Sequence, residues 1–350
     1  MDFKNLSDSV LLDNLPDEIL LVIFSNLTVK EKVVCMKVSK RFRLLSDDNS
    51  LWTKIDLSHQ AEVPTELICL VVKKGCTELD LSYSTYKGGP VSYTNNKLKL
   101  LDLTDFHQYD LEAELDQQFL PHLVQSCSSL EKLSLGQNLG PQFGIGRVAG
   151  GICKSGETLT SLNLSGCSRL HYSYIEYIIN ACVNLIEVNF STLYLSDYAL
   201  AFICKKLTTT IEKISFEDQQ VTDKSINTLV RRCSNLSELN LGNTNISKMS
   251  VIFIASNLSS KLIKLHLPFY LDYEDLTPLN SMKNLVHLWM APKTPRDLNT
   301  DPRGHHDLKQ IGVDHDMKLH SLFPHLMINV GKLLIAERGE LPELNVTMKK

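Results

Sequence analysis

Five histidines crowd a short stretch near the end of this 350-residue chain: His305, His306, His315, His320 and His325. Imidazole ligates zinc when the geometry is fixed and a carboxylate or thiolate joins it, a role open to Asp307 and Asp316. A solvated polar loop accounts for the same residues, and we take that reading. A metal-dependent hydrolase using the histidine-rich loop is the remote alternative. The glycine-rich stretch 140–151, GPQFGIGRVAGG, superficially suggests a phosphate loop. The spacing of Gly144, Gly146 and Gly150 misses the dinucleotide fingerprint, and no βαβ pattern surrounds it. It reads as a flexible convex connection in an overlong repeat. No Gly-x-Ser-x-Gly, Walker loop or His-Glu-x-x-His occurs. The reading is therefore of a non-catalytic chain with no cofactor and no metal.

The nine cysteines include no Cys-x-x-Cys pair, which argues against zinc. The N-terminal MDFKNLSDSV has no apolar signal core. Without a secretion signal, free thiols are expected. Cys127, Cys182 and Cys233 each stand three residues before a leucine that opens a repeat. There they serve as small apolar residues at a recurring turn. Net charge −4 gives no reason to expect nucleic acid or an anionic membrane as partner. No run of 18 apolar residues occurs, so no spanning helix is expected. Nucleus and cytoplasm are the expected locations.

The elements that would position any partner are repeats. From Trp52 onward an apolar residue, two others, an apolar, one other and an apolar recur. The series runs Trp52/Ile55/Leu57, Cys76/Leu79/Leu81, Leu98/Leu101/Leu103, Leu130/Leu133/Leu135 and Leu159/Leu162/Leu164. It continues Leu185/Val188/Phe190, Ile211/Ile214/Phe216, Leu236/Leu239/Leu241, Leu262/Leu265/Leu267 and Leu285/Leu288/Met290. The mean period of about 26 lies in the leucine-rich-repeat range. Each unit is a short strand with alternating faces, and no single repeat can bury its apolar face, so stacking is obligatory. Segments such as 173–182 and 224–233 read as helices on the convex side. The fold class is thus α/β: an N-terminal three-helix module, then a solenoid of about ten repeats. The boundaries are 11–54 for the module and 55–330 for the solenoid, with an inserted loop at 291–307. A strand near Leu326 to Val330 closes the open end, and 331–350 form a C-terminal tail.

Residues 11–54 read as three amphipathic helices that leave apolar surface uncovered. Ile19, Leu20, Ile23, Phe24 and Leu27 share one face at helical spacing. Pro16 suits the helix start, Asp17 and Glu18 favour its positive end, and Thr28 to Glu31 form a capping box. The order LPDEIL, IF, VSKRFRLL, LW resembles the F-box family. One departure is Phe42, where many members have Trp. An F-box followed directly by these repeats resembles the leucine-rich-repeat F-box proteins over nearly the whole chain, through SDDNSLWTKIDLS, LTSLNLSGCSRL, LVRRCSNLSELNL and FPHLMIN.

What the resemblance implies is a substrate receptor of a cullin-based SCF ubiquitin ligase. Leu15, Pro16, Ile19, Leu20, Ile23 and Phe24 would bind a Skp-type adaptor, and through it a cullin and a RING subunit. The repeats would hold a protein substrate, phosphorylated and of the cell cycle in some members, for ubiquitin-dependent degradation. A small cyclin-kinase-subunit protein is an accessory in such members. Where these members carry an aromatic and basic side chains after the middle and late strands, this chain has Thr192, Gln220 and Phe269. A non-degradative F-box scaffold is the alternative.

The outward positions of the strands define the concave face. They are Glu78 and Asp80, Asp102, Lys132 and Ser134, Ser161 and Asn163, Glu187 and Asn189, Lys213 and Ser215, Glu238 and Asn240, Lys264 and His266, and His287 and Trp289. Among these, Asn163, Asn189, Ser215, Asn240, Lys264, His266, His287 and Trp289 are the candidates for holding the target. A tryptophan pointing outward is the strongest of them, because Trp is enriched in interface hot spots. It is equally suited to being covered by the C-terminal tail.

Overall fold

The computed structural model describes residues 12–88, 97–108, 119–137, 145–168, 170–268, 270–291 and 327–330. The histidine-rich run, the rest of the inserted loop after residue 291 and the tail lie outside the described residues.

Three short helices open the chain: α1 (Asp17–Ser25), α2 (Val29–Cys35) and α3 (Lys40–Ser46). Pro16 stands at the N-cap of α1, with Asp17 and Glu18 in its first turn. Thr28 completes the capping box of α2, its hydroxyl accepting from the Glu31 amide while the Glu31 carboxylate accepts from the Thr28 amide. Ser39 caps α3 through the Phe42 amide. Phe42 meets Phe24 edge-on at 5.2 Å between centroids, which joins α3 to α1. Arg41 ties α3 to α1 by an ion pair with Asp17 at 2.5 Å and a bond to the Leu15 carbonyl.

The repeats follow as β1 (Lys54–Asp56), β2 (Val63–Pro64), α4 (Thr65–Lys73), β3 (Glu78–Asp80), β4 (Thr85–Lys87), β5 (Leu100–Asp102), β6 (His107–Gln108), α5 (Phe119–Gln125) and β7 (Lys132–Ser134). Then come α6 (Ile145–Lys154), β8 (Ser161–Asn163), α7 (Tyr172–Ala181), β9 (Glu187–Asn189), α8 (Asp197–Lys206), β10 (Lys213–Ser215), α9 (Asp223–Arg232) and β11 (Glu238–Asn240). The last are α10 (Lys248–Leu258), β12 (Lys264–Pro268), α11 (Tyr273–Leu276), β13 (His287–Ala291) and β14 (Met327–Val330). Eleven strands form one parallel sheet in the order β1-β3-β5-β7-β8-β9-β10-β11-β12-β13-β14, and β2, β4 and β6 form a small second sheet. The strand expected near Leu326 to Val330 is β14, paired with β13.

Every apolar residue of the ten repeat units is buried, from Trp52 to Met290. The sheet therefore presents its leucines to the helices behind it and its other face to the concave side. Neighbouring repeats are tied further by asparagines just before the opening leucine. Asn184, Asn235 and Asn284 each donate from Nδ2 to a carbonyl of the preceding repeat, at Glu157, Thr209 and Ser260. All nine cysteines are free thiols, and Cys127, Cys182 and Cys233 are buried as expected of small apolar residues.

The glycine-rich stretch corrects the reading of a flexible connection. Residues 145–154 form the helix α6, despite Gly146, Gly150 and Gly151. Glycine costs about 1 kcal/mol in a helix, but here it permits a close approach. A Cβ on Gly151 would stand 3.0 Å from both the Gln125 amide nitrogen and Val124 Cγ1 of α5. Tertiary packing overrides propensity at this position.

Candidate functional site

Two surfaces of the described residues are the candidates. The first is the N-terminal module. Its own core takes Leu20, at 0 % exposure, with Phe24, Val29, Phe42, Leu51 and Trp52. The six residues expected to face an adaptor therefore divide. Leu20 and Phe24 turn inward and hold the helices together, so they have no surface to offer. Pro16, Ile19 and Ile23 are exposed and Leu15 is half-buried. Leu12, Val22, Val34, Val38 and Leu44 are exposed as well and are not among the six. Val22 and Leu44 reach 62 % and 75 % exposure. An amphipathic pattern shows that a helix has an apolar stripe; it does not show where the stripe for its own core ends and a second one begins.

The second surface is the concave face of the eleven-stranded sheet. Strand register aligns its outward side chains in two rows. One runs Lys54, Glu78, Leu100, Lys132, Ser161, Glu187, Lys213, Glu238, Lys264, His287. The other runs Asp56, Asp80, Asp102, Ser134, Asn163, Asn189, Ser215, Asn240, His266, Trp289.

The second row shapes the turn that follows each strand. Asn163, Asn189 and Asn240 accept through Oδ1 from the amide two residues on, at Ser165, Ser191 and Gly242, at 2.9 to 3.0 Å. Asp56, Asp80 and Asp102 do the same with Ser58, Ser82 and Thr104. One residue further the backbone enters the left-handed region, at His59, Tyr83, Asp105, Gln137, Gly166, Thr192, Asp218 and Asn243. That conformation costs a non-glycine residue about 1–2 kcal/mol. After the Asp and Asn residues the side-chain turn offsets it, and the amides from His59 to Asp218 each donate to a carbonyl of the next repeat at 2.7 to 3.1 Å. Other polar atoms of this row are also engaged within the chain. Asn163 Nδ2 donates to Ser134 Oγ, Asn240 Nδ2 donates to Glu217 Oε2, and the Ser191 and Ser215 hydroxyls share a hydrogen bond. Sequence reasoning placed Asn163, Asn189, Ser215 and Asn240 on the concave face but missed this duty. Its signal was the recurrent Asp/Asn-x-Ser/Thr after the strand leucine.

Lys264, His266, His287 and Trp289 come together at the other end. Trp289 stacks on His266 at 4.3 Å and on His287 at 5.1 Å. Burial pushes the His266 pKa below its ordinary value, with Glu238 opposing the shift and Lys264 reinforcing it. Between this stack and the middle strands lies an open depression of 540 Å³. Its walls include Glu187, Thr192, Lys213, Glu217, Asp218, Glu238, Lys264 and His266. Burial alone would raise the Glu238 pKa, but Lys264 at 3.0 Å and Lys213 at 3.4 Å hold it below the usual carboxylate range. Glu217, Asp218 and Thr192 follow the strand and lie outside the two rows, which is why strand alternation did not find them all. Gln220 is exposed, and Phe269 lies outside the described residues.

Among the described residues, no group of three or more His, Cys, Asp and Glu is placed to hold a metal ion. No helix among them is long and apolar enough to cross a membrane.

Residues 12–58 match the F-box-like family model, so the N-terminal module is an F-box-like domain. Over 81 residues, 23 % of its length, the chain is 27 % identical to lysine-specific demethylase 2B of Mus musculus, and it spans 6 % of that protein. Among solved structures it is similar to internalin C2 of Listeria monocytogenes, at 15 % identity and TM-score 0.41, over 69 % of this chain and 84 % of that one. It is also similar to the leucine-rich repeat-containing protein LegL7 of Legionella pneumophila, at 15 % identity and TM-score 0.41, over 74 % and 85 % of the two chains.

Proposed function

We propose that this chain, an F-box-like domain joined to a leucine-rich-repeat solenoid, is the substrate-recognition subunit of an SCF-type ubiquitin ligase complex. The F-box binds a Skp-type adaptor and, through it, the cullin and RING subunits. The concave sheet binds a target protein. The reading rests on one observation above others: the F-box-like module leaves Leu12, Ile19, Val22, Ile23, Val34, Val38 and Leu44 in solvent. Fully burying a side chain of this kind is worth about 1.5–3 kcal/mol. A module that can bury Leu20 and Trp52 completely has the means to bury more, and an apolar surface kept open marks a partner site.

The chain itself moves no bond in this scheme. It raises the effective concentration of target lysines near a charged carrier enzyme, which is positioning. Cys76, Cys127, Cys182 and Cys233 of the repeats are buried and their thiols pushed up to about 12, which suits them poorly to be the nucleophile that ubiquitin transfer needs.

The test is reconstitution. The purified full chain is mixed with a Skp-type adaptor, a cullin and a RING subunit, and the complex is sized. A stoichiometric complex supports the reading. A chain that stays apart from the adaptor overturns it. Removing the protein from cells then decides between degradation and a scaffold role: a bound target should become longer-lived.

A further inference from the structure

We infer that the concave depression receives an extended, unphosphorylated, lysine- or arginine-bearing segment of the target, with one cationic residue among Glu187, Glu217 and Asp218 and another over the Trp289 stack. This rests on the reading of the concave sheet as the target-binding face.

Charge carries the argument. Both lysines of the depression, Lys213 and Lys264, are already bound to Glu238. Glu187, Glu217 and Asp218 have only hydroxyl or amide partners, Ser161, Asn240 and Asn243 respectively. Among the described residues none of these three carboxylates lies in an ion pair. Arginine stands at no described position of either concave row. A phosphorylated segment would therefore meet three uncompensated carboxylates and no guanidinium fork, the group best matched to phosphate. An ammonium or guanidinium finds the opposite situation.

The aromatic end fits the same ligand. Trp289 is half-buried and stacks on His266 and His287. A cation meeting the exposed part of this stack is attracted by the ring quadrupole, more strongly as water is excluded. Three strand spacings separate β10, beside the carboxylates, from β13, beside the stack. At about 4.8 Å each this is about 14 Å, spanned by about four residues of extended chain. The segment should therefore carry basic residues about four positions apart and cross the strands.

The experiment uses the full chain bound to a Skp-type adaptor and fluorescent synthetic peptides. One peptide carries two arginines four residues apart, a second replaces them with glutamate, and a third adds phosphoserine between them. Anisotropy should show binding by the first, weakening with added salt, and weaker or absent binding by the others. Glu187→Lys, at an exposed position, should weaken the first peptide about fivefold. Trp289→Ala should weaken it about tenfold, with the melting temperature as a check on folding. Preference for the acidic or phosphorylated peptide overturns the proposal. So does failure of all three to bind, or indifference to both substitutions. Adaptor binding is read in the same samples: if it persists while the peptides fail, the receptor reading stands and this inference falls. If the adaptor does not bind, the receptor reading itself is lost.

Discussion

Ile19 and Leu20 are chain neighbours of similar size on α1, one exposed and one buried, and truncating each to alanine should break different things. Leu20 has 0 % exposure and packs with Phe24, Phe42 and Trp52 in the module's core. Leu20→Ala removes buried methyl groups and leaves a cavity, which costs about 3 kcal/mol and spans about 2–5 in comparable sites. Ile19 is 47 % exposed. Ile19→Ala therefore gives up only part of a burial term, about 1 kcal/mol or less. If Ile19 is covered by the adaptor, the same change removes about 2 kcal/mol from the interface, or about thirty-fold in Kd. Urea unfolding of the full chain should thus shift for Leu20→Ala and barely move for Ile19→Ala. Titration calorimetry with a Skp-type adaptor, at a temperature where both variants are folded, should show the reverse order. The reasoning is refuted if Ile19→Ala leaves adaptor affinity unchanged, or if Leu20→Ala weakens binding with no loss of stability.

Three further outcomes follow from the geometry. Asp223 is partly buried, which opposes its charge, yet bonds from the amides and hydroxyls of Ser247 and Ser250 hold its pKa below the ordinary value. Its contribution is therefore present at neutral pH and lost as pH falls through the folded value; Asp223→Asn should cost about 2 kcal/mol in urea unfolding at neutral pH and converge with the parent in acid. His266 is shifted down by burial, so the folded chain resists protonating it, and stability should fall as pH drops below about 6.5. His266→Gln should flatten that dependence, as unfolding curves across the range would show. In thiol labelling of the native chain, the half-buried Cys35 and Cys153 should react first. Cys76, Cys127, Cys182 and Cys233 should react only on unfolding, as counted by mass spectrometry.

Period and alternation made most of the fold legible. The buried positions of all ten units, the capping box at Thr28 and the closing strand at Met327–Val330 follow from local pattern alone. What escaped reading depended on contacts between distant residues. Gly151 looks like a breaker until α5 is seen beside it. Leu20 and Val22 are two apolar residues of one helix, and only the folding of α3 and Trp52 against α1 decides which one is left for a partner. The asparagines of the concave row have the composition of a polar binding face. Their occupation by the following turn appears only when the left-handed residue three positions on is known.

Trp52 belongs to both halves of the chain. It is the first apolar residue of the repeat series, and it is fully buried with its indole nitrogen donating to the Ser46 carbonyl of α3 at 2.7 Å. Lys74 of the first repeat reaches back to Asp47 in the same way. The module thus passes into the sheet with no hinge between them. Eleven strands with ten spacings of about 4.8 Å make a graduated arm of about 48 Å along the concave face. Under the receptor function proposed above, the docking position of a target on such an arm becomes a length. A shift by one strand changes by about 5 Å how far the target stands from the anchored end. The choice among its lysines would then be made by reach, with no contact to the lysines themselves.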